Sequence, residues 1–160
     1  MPRVHHVKKA RKAHPGGIEK GDSYYWWEFR YGGTRYSKTY PRRSQLTQSK
    51  MSGVYAGFEG LEDAVNNQDR SEVESALEEY KSAIDEARDE YEDADQQFGG
   101  TGSSQHAERA QAMESAYSEV EQFDLDQFEI EDEEDEYGET KIDWDSVDIS
   151  VIDPDDICQF

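Results

Sequence analysis

The sequence has little of what a large folded core needs. Of its 160 residues only 25 are Leu, Ile, Val or Phe. That share, combined with high net charge, falls in the range where chains begin to favour disorder, so an enzyme built around a large core is excluded. Cysteine occurs once, at Cys158, which rules out an intrachain disulfide and a multi-cysteine zinc site. No apolar run approaches the ~18 residues that span a bilayer. The N-terminal stretch is charged and lacks an apolar signal core, so the chain is expected inside the cell.

Recognisable catalytic chemistry is also missing. The sequence has no phosphate-binding Gly-Lys-Ser/Thr loop, no dinucleotide fingerprint and no serine-nucleophile motif. Its four histidines, at positions 5, 6, 14 and 106, show no ligand or triad spacing. His5-His6 has no Cys or carboxylate nearby to complete a metal site. Asp143, Asp145, Asp148 and Asp153 lack the loop glycine and terminal glutamate of a calcium-binding hand. The expectation is a non-enzyme with no cofactor and no metal.

Cations are scarce and unevenly placed. Against 38 Asp and Glu stand 17 Lys and Arg, a net charge of −21. Residues 1–50 hold 12 of the cations and 3 of the acids, whereas residues 51–160 hold 5 and 35. A basic part favours nucleic acid or an acidic surface, and an acidic part favours basic protein surfaces. The chain divides accordingly into a basic arm (1–20), an aromatic hairpin module (21–43), an acidic helical body (44–122) and an acidic C-terminal segment (123–160).

The arm carries Arg3, Lys8, Lys9, Arg11 and Lys12 before the break Pro15-Gly16-Gly17. It is expected to be mobile alone and to order on a partner. The aromatics concentrate in Tyr24-Tyr25-Trp26-Trp27-Glu28-Phe29-Arg30-Tyr31, followed by Gly32-Gly33 and Thr34 to Tyr40. Two strand-forming runs around Gly-Gly predict a hairpin with a two-residue turn. That turn pairs Phe29 with Tyr36 and Trp27 with Lys38, and places Tyr25, Trp27, Phe29 and Tyr36 on one packing face. A two-stranded hairpin is marginal alone. A third strand is expected from Val147–Val151, which alternates apolar and polar residues, in preference to the alternative around Val4–Val7. The opposite face, with Trp26, Arg30 and Arg35, joins Lys8, Lys9, Arg11, Lys12, Lys38, Arg42 and Arg43 as a candidate surface for phosphates and stacked bases.

In these same residues, namely Lys8-Lys9-Ala10-Arg11-Lys12, Tyr24-Tyr25-Trp26-Trp27, Phe29-Arg30, Gly32-Gly33, Tyr36-Ser37-Lys38, Pro41 and Ser44-Gln45-Leu46-Thr47, the first 50 positions resemble the start of a family of small proteins from tailed bacteriophages. The resemblance implies a phage source and action in the host cytoplasm, and carries no established activity. The hairpin is also similar in architecture to small sheet modules with which phage integrases grip DNA.

Past Pro41 the pattern becomes helical. Met51, Val54, Tyr55, Phe58, Leu61 and Val65 form a stripe on a helix capped by Ser44 or Thr47. A second helix begins at Asp69 or Ser71. Its apolar residues Val73, Leu77, Tyr80, Ile84, Ala87, Tyr91, Ala94 and Phe98 alternate steps of four and three, the spacing of a coiled-coil seam. Gly99-Gly100-Thr101-Gly102 ends it, and a third helix capped by Ser103 or Ser104 follows, with Ala110, Met113, Tyr117 and Val120 on its seam. The fold class is therefore α+β: a small N-terminal antiparallel sheet with an acidic antiparallel helical hairpin or three-helix unit. Glu74, Glu78, Asp85, Asp89, Glu92 and Asp93 are the candidate acidic partner surface. The acidic run from Glu131 to Glu136 is expected to be a loop, with Trp144 docking on the aromatic face of the hairpin.

Three functions are compatible with this pattern. The first is a phage-type inhibitor or regulator whose acidic body imitates nucleic acid and binds a basic surface of a host nucleic-acid-handling protein. The second is a nucleic-acid-binding module. The third is a virion or scaffold component in which a second copy of the chain pairs through the helical seam.

Overall fold

The computed structural model describes residues 1–97 and 105–159. The expected helix end at Phe98, the glycine-rich stop and the caps at Ser103 or Ser104 lie outside those residues. The fold is α+β, in two compact units: Met1–Ser52 and the remainder from Gly53. Met51 and Ser52 are uncharged, so the unit boundary coincides with the change of charge sign.

The first unit is a three-stranded antiparallel sheet ordered β1-β2-β3, formed by His5–Val7, Tyr24–Phe29 and Gly33–Ser37. The third strand is thus the N-terminal one. The expected strand at 147–151 does not form; Ser150–Ile152 is a turn of 3-10 helix. The arm is packed on this sheet rather than extended away from it. The Ala10 N–H donates to the Asp22 carbonyl at 2.7 Å, the Gly21 N–H to the Ala10 carbonyl at 2.8 Å, and the His14 N–H to the Ile18 carbonyl at 2.9 Å. These bonds fold residues 8–22 over the sheet and bury Ala10 and Ile18 against Tyr24. Two apolar side chains inside a basic sequence are enough, because the aromatic sheet supplies the surface they cover.

The hairpin register also differs from expectation. Phe29 faces Gly33, Trp27 faces Arg35, Trp26 faces Tyr36 and Tyr25 faces Ser37. Arg30, Tyr31 and Gly32 form a three-residue connection, with the Gly32 N–H directed to the Phe29 carbonyl at 3.4 Å and Gly33 at φ +72°. This is a turn followed by a left-handed glycine, the usual solution for three-residue hairpins. The shift is three residues, an odd number, so Tyr36 moves to the face of Trp26 and Tyr24. A one-turn helix α1, Arg43–Leu46, follows. The expected first helix is broken there: Thr47 is extended (φ −111°, ψ 126°), and its hydroxyl donates to the Arg43 carbonyl at 2.8 Å. Helix α2, Met51–Asn67, then starts with its Met51 N–H donating to the Ser49 hydroxyl.

In the second unit α2 turns into α3, Arg70–Gln97, at left-handed Gln68 (φ +55°). Asp69 caps α3, accepting from the Glu72 N–H at 2.9 Å. The seam residues Val73, Leu77, Tyr80, Ile84, Ala87 and Tyr91 are all buried. Helix α4, Gln105–Glu121, packs against α3 and buries Ala110, Met113, Ala116 and Val120. Ala116 takes the inward place expected for Tyr117, which is half-buried. The Phe58 and Tyr80 rings meet at 5.6 Å between centroids, and the Tyr80 hydroxyl donates to the Ile152 carbonyl at 2.7 Å. That bond fastens the C-terminal segment to the helices.

The acidic run is not a loop. Strand β4, Glu129–Glu134, pairs antiparallel with β5, Thr140–Ile142, through a bulge in which Asp132 has φ +62°. Asp135 holds the connecting turn, its carboxylate accepting from the N–H groups of Tyr137 and Glu139 at 2.8 and 3.0 Å. A short helix α5, Pro154–Ile157, capped by Asp153, ends the described chain and lies against α4.

Close approach of α2 and α3 requires a glycine. A Cβ at Gly57 would lie 3.0 Å from the Tyr80 Cα, whereas one at Gly60 would meet nothing within 4 Å. Gly57→Ala should therefore destabilise the chain by about 1–3 kcal/mol through overpacking. Gly60→Ala should stabilise it by about 0.5–1 kcal/mol through helix propensity. Thermal denaturation of the two variants beside the parent checks both signs.

Candidate interaction surfaces

On the basic unit, Lys8, Lys9, Arg11 and Lys12 are all exposed on the segment between β1 and Ile18. That segment is fixed by the backbone bonds of Ala10 and His14. Arg30 sits over the Tyr31 ring at 5.3 Å on the hairpin turn, and Arg35 projects from β3. Lys38 pairs with Asp22 at 3.7 Å, while Arg42 precedes α1 and Arg43 begins it. The four cations of the 8–12 segment are thus brought together on one folded strip.

Trp26 does not join them as a stacking surface. It lies half-buried at the margin of the Ala10–Ile18–Tyr24 cluster, and the His5 ring stacks on it at 4.2 Å. Trp26 shares the face of Tyr24, and it is this face that the folded-over arm covers. Histidines take part in this packing in a way their spacing does not announce. His14 lies against both Tyr24 and Tyr36 at 4.8 and 4.7 Å, and His6 stacks on Tyr25 at 4.6 Å.

On the acidic unit, Glu74, Glu78, Asp85, Asp89 and Glu92 fall within about a 60° arc of α3 at 3.6 residues per turn. The three cations of that helix line one edge of this arc. Arg70 reaches Glu74 at 3.0 Å, Lys81 pairs with Glu78, and Arg88 contacts Asp85, Asp89 and Glu92 at 2.7, 3.0 and 3.9 Å. Five of the six expected partner-facing carboxylates are therefore laced by the helix's own cations, and Asp93 projects outside the arc. Salt-bridge hydrogen bonds, opposed by partial burial, hold the Lys81 and Arg88 cations more firmly protonated than usual, led by Glu78 and Asp89 respectively. The bare negative surface lies elsewhere. Glu131, Asp132 and Glu134 are exposed on β4 with no ion pair among the described residues, and Glu133 only approaches Lys141 at 3.9 Å. The run of acids in the sequence pointed to this place, but not to its strand conformation.

Arg70 ties two elements together. Besides Glu74 it contacts Asp126 at 2.5 Å and Glu129 at 2.9 Å, joining the start of α3 to the entry of β4. Its guanidinium is held even more firmly charged than usual, first by the Glu129 hydrogen bond and then by Glu74. A hollow of about 240 Å³ beside it is lined by Asp135, Glu139, Thr140, Lys141, Ile142 and Trp144. Trp144 thus stands beside β5, and the Asp135 carboxylate accepts from the N–H groups of Tyr137 and Glu139. The one thiol, Cys158, is buried and pushed up to about 12, mainly by burial and further by the carboxylates of Glu119, Asp155 and Asp153. It is a protonated packing group at neutral pH rather than a nucleophile. Among the described residues no group of three or more His, Cys, Asp or Glu side chains is arranged to hold a metal ion, and no helix is long and apolar enough to cross a membrane.

Compared with known protein families, curated proteins and solved structures, the chain matches none.

Two stability effects follow from these contacts. Arg70→Met should lower stability by about 1–2 kcal/mol at low salt, as expected for a network of several charges. The difference from the parent should shrink in 1 M salt, where the Debye length is ~3 Å; chemical denaturation in urea at both salt levels measures it. For Cys158 the native chain retains, between its ordinary 9.0 and about 12, a proton that the unfolded chain gives up. Stability contributed by that group is complete below the lower value and falls as pH rises through the window. Cys158→Ser should flatten that part of the stability profile, and alkylation of the parent thiol at pH 8 should require unfolding.

Proposed function

We propose that this protein is a non-enzymatic binding protein of phage type, a regulator or inhibitor that docks its acidic unit on a basic surface of a host nucleic-acid-handling protein. The observation that carries this reading is the coincidence of the unit boundary with the reversal of charge. Each unit can then meet a partner of opposite sign without its own opposite charges intervening along the chain. The lacing of the α3 stripe shifts the emphasis of the reading. Regularly spaced carboxylates on α3 imitate a nucleic-acid backbone only where a basic partner competes with Arg70, Lys81 and Arg88. The exposed acids of β4 are available to such a partner without that exchange.

The test is affinity capture from bacterial lysate with the tagged full-length chain, with and without nuclease treatment. The expected result is a basic nucleic-acid-handling protein that survives nuclease treatment and elutes as salt is raised. Replacement of Glu131, Asp132 and Glu134 by Gln should weaken its capture. Recovery of no nuclease, polymerase or defence protein overturns the reading.

A second reading, that the basic unit binds nucleic acid, is favoured by a separate observation. The strip Lys8–Lys12 is folded and exposed rather than a floppy arm, so its cations need no ordering on contact with phosphates. Gel shift of the full chain at ~50 mM salt, where phosphate contacts are strong, should show a complex that disappears when the four cations of that strip are replaced by Gln. Assembly through the helical seam has lost its supporting observation, since the seam is buried within the chain itself.

A further inference from the structure

Cross-strand register decides which rings of the sheet face outward. Directly opposed residues of an antiparallel pair share a face. His6 opposes Tyr25, Tyr25 opposes Ser37, and Trp27 opposes Arg35. These residues form the face opposite to the one on which Ala10, Ile18 and Tyr24 pack. Its Trp27 end is closed, with Trp27 only 2% exposed. The other end is open. There His6 stacks on Tyr25 at 4.6 Å, and Tyr40, 63% exposed, meets the Tyr25 ring edge-on at 5.5 Å. Tyr25 is half-buried between these two neighbours, so the exposed His6 and Tyr40 rings are what this end of the sheet offers to a base, with the exposed cation Arg35 on the same face.

Tyr40 touches Tyr25 yet keeps most of its ring in water, so its free surface remains available to a ligand. Contiguous open rings beside a cation fit flat, polyanionic ligands. Bases stack on the rings and phosphates meet the cation, and this pairing of groups characterises surfaces that hold single strands. A duplex cannot use the rings, because its bases are already stacked on one another.

We propose that His6, Tyr25 and Tyr40 form a base-stacking platform that gives the basic unit a preference for single-stranded over double-stranded nucleic acid. The proposal rests on the second reading above and specifies its ligand. Phosphates flanking the stacked bases are met by Arg35 and by the cations elsewhere on this unit.

The experiment uses the full-length chain and fluorescence polarisation with a labelled 20-nucleotide oligo-dT and a labelled 20-base-pair duplex at 50 mM salt. The single strand should bind at least ten-fold more tightly than the duplex. Tyr40→Ala should weaken single-strand binding about five-fold or more, the loss of one base–ring stack, while Tyr40→Trp restores it. Circular dichroism confirms that both variants keep the parent fold, as the exposure of Tyr40 leads one to expect. Arg35→Ala should reduce the salt slope for the single strand by ~0.7, the value of one phosphate contact. Equal binding of strand and duplex, indifferent to Tyr40→Ala, overturns the platform while leaving nucleic-acid binding standing. Binding of neither probe overturns both. Displacement of the oligo-dT by polyglutamate at equal charge also overturns the platform, since the surface then selects for negative charge alone and an acidic protein would serve as well.

Discussion

Tyr80 is the point on which the acidic unit closes. Its ring meets Phe58, its backbone lies under Gly57, and its hydroxyl reaches the Ile152 carbonyl. Three stretches of chain far apart in sequence thus converge on one fully buried side chain. A unit with so few aliphatic residues cannot form a deep core. It relies instead on an aromatic ring large enough to contact two elements and polar enough to satisfy a backbone carbonyl that would otherwise be buried unpaired.

Repulsion among carboxylates is the opposing force, and the unit meets it with very few cations. Arg70, Lys81 and Arg88 each stand along one edge of the crowded stripe of α3, and Arg70 also reaches across to Asp126 and Glu129. One guanidinium can serve several acids because its fork of donors points in different directions. The result is a helix whose charge is locally balanced beside a strand, β4, whose charge is not. The two surfaces look alike in composition and differ in how readily they accept a foreign cation. The basic unit shows the same economy in apolar residues: Ala10 and Ile18 suffice to turn a cationic segment into a folded strip because the tyrosine and tryptophan rings beneath them are broad.

Much of the architecture was legible in the residues. The alternating steps of four and three from Val73 to Tyr91 placed the α3 core correctly, since a helical period leaves few choices of buried face. Asp69 and the Asn66-Asn67-Gln68 stop marked the α2–α3 junction, and Gly-Gly marked a hairpin. The register of the hairpin was misplaced for a simple reason. Gly32-Gly33 is compatible with a two-residue or a three-residue turn, and local sequence does not choose between them. Selecting the wrong one moved β3 by three residues and put Tyr36 on the wrong face, while Trp26 looks open in the sequence because the arm that covers its face leaves no mark in the hairpin residues. The third strand and the strand character of β4 were hidden for a related reason. His5–Val7 is too short to show a period, and Glu129–Glu134 opposes β-propensity, so both exist through their partners.

What the sequence by itself determined is the separation of charge, the α+β class and the helical seam. Each depends on composition or on a periodicity local to one segment. The tertiary structure alone decided which face of the sheet is open, which carboxylates are matched by cations, and where the first fifteen residues go. Those outcomes turn on contacts between distant residues, whose geometry is set by strand register and helix packing rather than by any property of neighbouring positions.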